Sequence, residues 1–323
     1  MSELRWNPIL AEWVATATHR QHRPVLPRDG CPFCPGSGRV PDDYDVHLYP
    51  NDFPAFSSPA PKPAVRGNRL SAVGPLEGFC DVVLYHPDHR TSFCRLSRAH
   101  LVKVMDLWRK RFSELKREKA VRYVLIFENR GEEIGVTMSH PHGQIYAFPF
   151  VPPVLEKEIA SSRAHFRRTG RCLFCEVLRS ERRDGKRVVA ENSSFTAFVP
   201  FFARWPYEVH VYPRRHRATL EEFSRAEAEA LAEILKWVTL KFDNLWGIAF
   251  PYMMLFHQAP VRGRHAYFHF HVEFYTPRRS PKKLKYLAGC ETGSGTFLND
   301  TLAEHSAAEL AGTFPKTRKE LWR

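Results

Sequence analysis

One order of elements occurs twice in this chain. A Cys-x-x-Cys pair is followed by a strand that runs up to a histidine, an amphipathic helix, a further strand and a His-x-His motif. In the first copy these are Cys31 and Cys34, His89, and His140 with His142. In the second they are Cys172 and Cys175, His216, and His269 with His271. The spacing is nearly the same, with His140 lying 51 residues after His89 and His269 lying 53 after His216. Five elements in one order point to two diverged copies of a single α+β unit, each burying its apolar faces in the same way.

Periodicity supports the pairing. Asp81–Tyr85 reads as a strand. Leu101, Met105, Trp108, Phe112 and Leu115 recur at three- and four-residue intervals, predicting a helix from Ser97 to about Ala120. Tyr123–Phe127 is a buried strand, then Glu128–Gly131 a polar turn, and the apolar run Ile145–Phe148 a strand headed by the first His-x-His. The second half answers with strands at Tyr207–Tyr212, Tyr252–His257 and Phe268–Phe274. Its helix carries Leu231, Ile234, Leu235, Val238, Phe242 and Leu245. Residues 55–75, rich in Pro, Ser, Ala and Gly, form a loop, and Arg20 and Arg23 sit in an extended basic arm. The expected division is 1–155 and 156–323.

A structural zinc ion takes four tetrahedral ligands, usually thiolate and imidazole. Cys31 and Cys34 offer two from one turn, and His89 and His140 offer two from the ends of a strand–helix–strand segment. Cys172, Cys175, His216 and His269 form the matching set, so two Zn2+ ions per chain are expected. A lone Cys-x-x-Cys also reads as ordinary buried or redox cysteines; two pairs with matched histidines favour metal. Cys80, Cys94 and Cys290 have no comparable partners and are expected to be packing residues.

His140 and His142 lie two apart and would face the same side of a strand. Such a pair is either a pair of metal ligands or a nucleophile beside its support. With His140 given to zinc, His142 is free. A neutral imidazole attacks phosphorus readily near neutral pH, provided its other nitrogen has an acceptor. Gln144, on the same face, can donate to a phosphoryl oxygen but cannot protonate a leaving group. That suits leaving groups that depart as anions and favours nucleotidyl transfer. Gly143 would let a ligand approach the backbone.

The charge, 48 Lys and Arg against 35 Asp and Glu, is +13 and favours an anionic partner. A zinc-bearing nucleic-acid module is disfavoured, since 55 residues separate Cys34 from His89, against roughly 12 in a zinc finger. No apolar run approaches the ~20 residues of a membrane helix, and the N-terminus shows no secretory pattern. The chain therefore reads as cytoplasmic, with no nucleic-acid or membrane partner.

The motif His140-Pro141-His142-Gly143-Gln144 resembles the signature of the galactose-1-phosphate uridylyltransferases of the histidine-triad superfamily. The order of Asn51-Asp52-Phe53, Pro87-Asp88-His89, Phe127-Glu128-Asn129 and Phe250-Pro251-Tyr252 extends that likeness along nearly the whole chain. The resemblance implies two fused histidine-triad-like sheets, a homodimer with the active site near the subunit interface, and a ping-pong cycle. In that cycle His142 takes UMP from UDP-glucose, releases glucose 1-phosphate, and passes UMP to galactose 1-phosphate to give UDP-galactose. By the same resemblance Arg20, Arg23, Asn51, Asp52, Asn129, Gly135, Thr137 and Gln144 would contact uridine and phosphate, and Lys285 and Glu291 the hexose phosphate. A related enzyme acting on ADP-sugar or dinucleoside polyphosphate is the alternative.

Two departures stand out. The family's second metal site, a glutamate and three histidines, matches Glu158, His257, His271 and Glu273, where the last histidine has become a glutamate. The Cys172 group is therefore preferred for the second metal. Cys290 replaces a tyrosine near the hexose contacts.

Overall fold

The computed structural model describes residues 2–23 and 30–322. Strands β1 (Ser2–Asn7) and β2 (Glu12–Ala17) form a hairpin. After β3 (His47–Pro50), β4 (Val73–Pro75) returns to pair with β1, giving a three-stranded sheet of order β2-β1-β4. Then come β5 (Phe79–Leu84), helix α1 (Arg98–Leu115), β6 (Tyr123–Arg130) and β7 (His142–Phe148). Helices α2 (Pro153–Thr169) and α3 (Leu173–Asp184) connect to the second half. That half holds β8 (Val188–Glu191), β9 (Phe195–Phe198), β10 (Val209–Pro213), helix α4 (Arg225–Trp246), β11 (Tyr252–His257) and β12 (His271–Tyr275). The hairpin β13 (Arg278–Ser280) and β14 (Lys283–Leu284) and helix α5 (Ala303–Gly312) follow.

Nine strands join in one antiparallel sheet of order β3-β5-β7-β6-β11-β12-β10-β9-β8. Read outward from the β6–β11 seam, both directions give the same sequence of strands: β6-β7-β5-β3 on one side, β11-β12-β10-β9 on the other. The chain is thus an α+β fold of two repeats of like strand order joined edge to edge. Residues 155 and 156 lie in the first turn of α2, within the connection.

Burial alternates along the strands because their side chains alternate in direction. Ile126 and Ile145 from the first half, with Met254, Phe256, Val272 and Phe274 from the second, face α1 and α4 in one shared core. Trp108 of α1, fully buried, stacks on Phe93 and meets Phe256 of β11 edge-on, with ring centres 4.9 Å apart. The opposite face of the second half is covered by α2 and α3 through Ile159, Phe174 and Leu178.

Several boundaries differ from the sequence reading. Helix α1 starts where expected, with Ser97 capping it by accepting from the His100 amide, but ends at Leu115. Lys116-Arg117-Glu118 offers no apolar position to extend the buried face. Glu128–Arg130, read as a turn, continues strand β6, because Tyr252–Phe256 pair with Ile126–Arg130 at the seam and give those polar residues a ladder partner. Strand β7 begins at His142 and β12 at His271, so His140 and His269 lie just before their strands. The Cys172–Cys175 pair sits at the start of α3 and not in a free turn. Arg20 lies in a short 3-10 turn, Thr18–His22; residues 24–29 of the expected basic arm are outside the described residues.

Candidate active site and metal centres

Cys31, Cys34, His89 and His140 converge, each offering one ligand atom within 4.8 Å of the others. Cys34 Sγ lies 3.5 Å from His89 Nδ1 and 3.6 Å from His140 Nδ1. The imidazoles are oriented from behind. His140 Nε2 bonds to the His86 carbonyl at 2.8 Å, with Tyr44 Oη 3.0 Å away, and His89 Nε2 meets Ser139 Oγ at 3.0 Å. Donation to the His86 carbonyl fixes the tautomer and leaves the Nδ1 lone pair of His140 facing the thiols. Burial holds His140 down at about 4 and pushes the Cys31 thiol up to about 11. A neutral imidazole is thus ready to coordinate, while the Cys31 thiol needs a cation to ionise.

The second group repeats this geometry. Cys172, Cys175, His216 and His269 also lie within 4.8 Å. Cys175 Sγ is 3.4 Å from His216 Nδ1 and 3.2 Å from His269 Nδ1, and His269 Nε2 bonds to the Pro213 carbonyl at 3.0 Å. Here Cys175, with the two histidines, holds the Cys172 thiol well below its usual range. Both sets fit a tetrahedral ion with two sulfur and two nitrogen ligands.

His142 is 9% exposed at the start of β7. Its Nδ1–H donates to the His140 carbonyl at 2.7 Å, so Nε2 carries the free lone pair. Burial lowers its basicity, and the nearby Arg23 guanidinium adds to that. The ring is therefore neutral and nucleophilic near neutral pH. Phe33, from between the two cysteines of the first group, packs against it with ring centres 5.6 Å apart. The sequence reading did not single out Phe33 or Tyr44; the place of Phe33 between Cys31 and Cys34 was a signal, whereas Tyr44, ten residues on, carried none.

The cleft around His142 is walled by Arg23, Asn51, Asp52, Thr137 and Gln144. Among the described residues, the buried Thr137 hydroxyl has no hydrogen-bond partner. Asn129 lines the adjoining cavity of about 570 Å³, which His142 also borders. Asp52 is held by the Tyr49 hydroxyl at 3.0 Å and by Arg39 at 2.6 Å. The structure does not bring the remaining sequence candidates to these walls. Arg20 bonds to the Phe53 carbonyl at 2.7 Å, and Gly135 ends the 3-10 turn Glu132–Ile134 in the left-handed conformation. Lys285 and Glu291 pair with each other at 2.7 Å. The reading of Gly143 as room for a ligand is corrected. A β-carbon there would lie 2.1 Å from the Tyr85 hydroxyl, so the space is filled by the protein.

A third cluster occupies the second half. Its geometry mirrors the first His-x-His motif: His271 Nδ1 bonds to the His269 carbonyl at 2.9 Å, as His142 does to His140. Glu273 stands where Gln144 stands, two residues on. His271 Nε2 faces Glu273 at 3.4 Å and Glu158 at 3.8 Å, and Glu158 reaches His257 Nδ1 at 2.9 Å. Against the cost of burial, Glu158 and Glu273 push His257 up to about 9. Glu273 also meets His210 at 3.2 Å and Arg204 at 3.3 Å. This equivalence was countable from the aligned His-x-His-x-Gln and His-x-His-x-Glu runs.

Comparison with known proteins adds independent evidence. Residues 1–152 match the family model for the galactose-1-phosphate uridyl transferase N-terminal domain, and 158–320 match that for its C-terminal domain. A galactose-1-phosphate uridylyltransferase of Thermotoga maritima is 42% identical over 97% of this chain and 99% of its own length. One from Saccharomyces cerevisiae is 32% identical over 96% of this chain and 93% of its own. A solved structure of a uridylyltransferase superposes with a TM-score of 0.88 at 35% identity, covering 99% of this chain and 98% of that one. With the fold, the motif order and both domain matches in agreement, the chain belongs to the galactose-1-phosphate uridyl transferase family.

Proposed function

We propose that the chain transfers UMP from UDP-glucose to galactose 1-phosphate through a uridylylated His142. The observation that carries this reading is the Nδ1–H bond from His142 to the His140 carbonyl, which leaves Nε2 free at the cleft wall beside Gln144. Nε2 attacks the α-phosphorus; a P–N bond forms and the P–O bond to the β-phosphate breaks. Glucose 1-phosphate departs with the electron pair and needs no proton. The positive charge gained by the ring is stabilised through Nδ1–H and the His140 carbonyl. A phosphate oxygen of galactose 1-phosphate then attacks the same phosphorus and releases the imidazole with UDP-galactose. Gln144 donates to the phosphoryl oxygens, favouring the charge that develops there. Arg23, Asn51, Asp52, Asn129 and Thr137 bind uridine and phosphate in this reading.

The halves divide as 1–155, carrying the nucleophile, and 156–323. Two Zn2+ ions, one in each Cys2His2 group, would pin a Cys-x-x-Cys segment to strand ends. The first would hold His140 rigid, and through it His142, and neither would supply a reacting group. We read the enzyme as a homodimer. Lys285, Glu291, Arg20 and Gly135 lie outside the walls around His142, and a second copy would bring such residues to them. A cytoplasmic setting is supported by seven free cysteines; no helix among the described residues is long and apolar enough to cross a membrane.

The test is UMP exchange between UDP-glucose and labelled glucose 1-phosphate, with ADP-glucose as competitor donor. Exchange from UDP-glucose that His142→Ala abolishes supports the reading. Exchange from ADP-glucose alone, or activity retained in the variant, overturns it.

A further inference from the structure

Directly behind the nucleophile, on the helix-facing side of the sheet, sits a carboxyl group that the mechanism does not use. Glu128 is 5% exposed and lies on β6, one residue past Phe127, which is registered with Gln144. Its Oε1 accepts from the Tyr252 hydroxyl at 2.7 Å. Among the described residues, its Oε2 and the fully buried Tyr85 hydroxyl have no hydrogen-bond partner. The Tyr85 hydroxyl occupies the space that Gly143 leaves by having no β-carbon, so it bears directly on the residue after His142. The neighbouring cation is already engaged, because Arg130 is paired with Asp243 of α4 through both nitrogens at 2.7 and 2.9 Å. Among the described residues, Glu128 thus has one tyrosine donor, a second tyrosine hydroxyl beside it and no ion-pair partner.

We propose that Glu128 is a positioning residue for uridylyl transfer, its carboxyl lodged between the hydroxyls of Tyr252 and Tyr85 and, through Tyr85, fixing the backbone at Gly143 next to His142. This rests on His142 being the nucleophile. The physical requirement is strict, since a nucleophile displaced by about 1 Å loses on the order of 100-fold in rate. A carboxyl that donates to Tyr85 while accepting from Tyr252 satisfies all three groups at once, and a glutamine amide offers the same donor and acceptor.

The experiment compares Glu128→Gln, Glu128→Ala and Tyr252→Phe in the full-length protein, measuring kcat, KM for UDP-glucose, zinc content and melting temperature. Glu128→Ala is expected to lose about 10- to 100-fold in kcat, with KM within about twofold of wild type and zinc unchanged. Glu128→Gln is expected to restore kcat to within about threefold of wild type. Tyr252→Phe, which removes only a hydroxyl, is expected to lower kcat and not KM, and keeps the question open to decision should Glu128→Ala fail to fold. Wild-type kcat in Glu128→Ala or Tyr252→Phe overturns the proposal, as does a Gln variant no better than Ala. The two readings fail separately: if His142→Ala remained active the nucleophile assignment would fall, whatever the Glu128 series showed.

Discussion

His142 and His271 are the same side chain in the same local geometry, and they differ in what faces the second ring nitrogen. Nε2 of His142 opens on a cleft with Arg23, Thr137 and Gln144, whereas Nε2 of His271 looks into Glu273 and Glu158. One surrounding invites an anion and the other repels it. His142→Ala is accordingly expected to abolish label transfer, while His271→Gln leaves covalent labelling at one UMP per chain, as checked by mass spectrometry. Glu128 yields a second expectation. Burial, opposed by Tyr252 and Arg130, raises its carboxyl to about 7. The folded state thus binds the proton more tightly than the unfolded one, whose carboxyl titrates near 4.3. The stability linked to this group is fully present below about pH 4 and is lost as pH rises through about 7. Melting curves should therefore show Glu128→Gln gaining on wild type between pH 5 and 8; a gap that stays constant would contradict this. The two His-x-His motifs were legible in the sequence because their spacing alone marks them. The role of Gly143 was not, because the atom that fills its place comes from Tyr85, 58 residues earlier.

At the scale of elements, α1 and α4 were read from apolar spacing and β5, β6, β7, β10, β11 and β12 from β-branched and aromatic runs, and these survive with shifted ends, whereas α2, α3 and α5 were not read. What local pattern could not show was the β6–β11 seam. Glu128, Asn129 and Arg130 look like a turn in isolation, and only pairing with Tyr252–Phe256 makes them strand. The seam also decides energetics, since α1 and α4 pack on both repeats together. Trp108→Ala, which empties a fully buried site touching Tyr85, Phe93 and Phe256, is expected to cost about 3–5 kcal/mol of unfolding free energy. Helix α4 begins with a capping box in which Ser224 and Glu227 satisfy each other's amides. Ser224→Ala is expected to cost about 1 kcal/mol. Denaturant titrations of both variants check the ranking; equal losses would mean that the shared core is not the stronger element.

Over the whole molecule, duplication explains why each half holds a Cys2His2 group and why only one half retains an open histidine. The two groups were traceable in the sequence from the matched Cys-x-x-Cys and His-to-His spacings, but the walls around His142 draw on residues 23, 51, 52, 137 and 144, which no single spacing connects. Cys31→Ser is expected to remove one zinc per chain and to reduce transfer by loosening His140, whereas Cys172→Ser should remove the other with a smaller effect on rate. Metal analysis of each variant beside its kcat checks this, and unchanged stoichiometry in either would strike out that site. The most direct measurement of the central claim is intact-protein mass after mixing with UDP-glucose alone. The mass should rise by one UMP, on a peptide containing His142, and fall back when galactose 1-phosphate is added. No gain in mass under conditions that sustain turnover, or a label on any other residue, would contradict it.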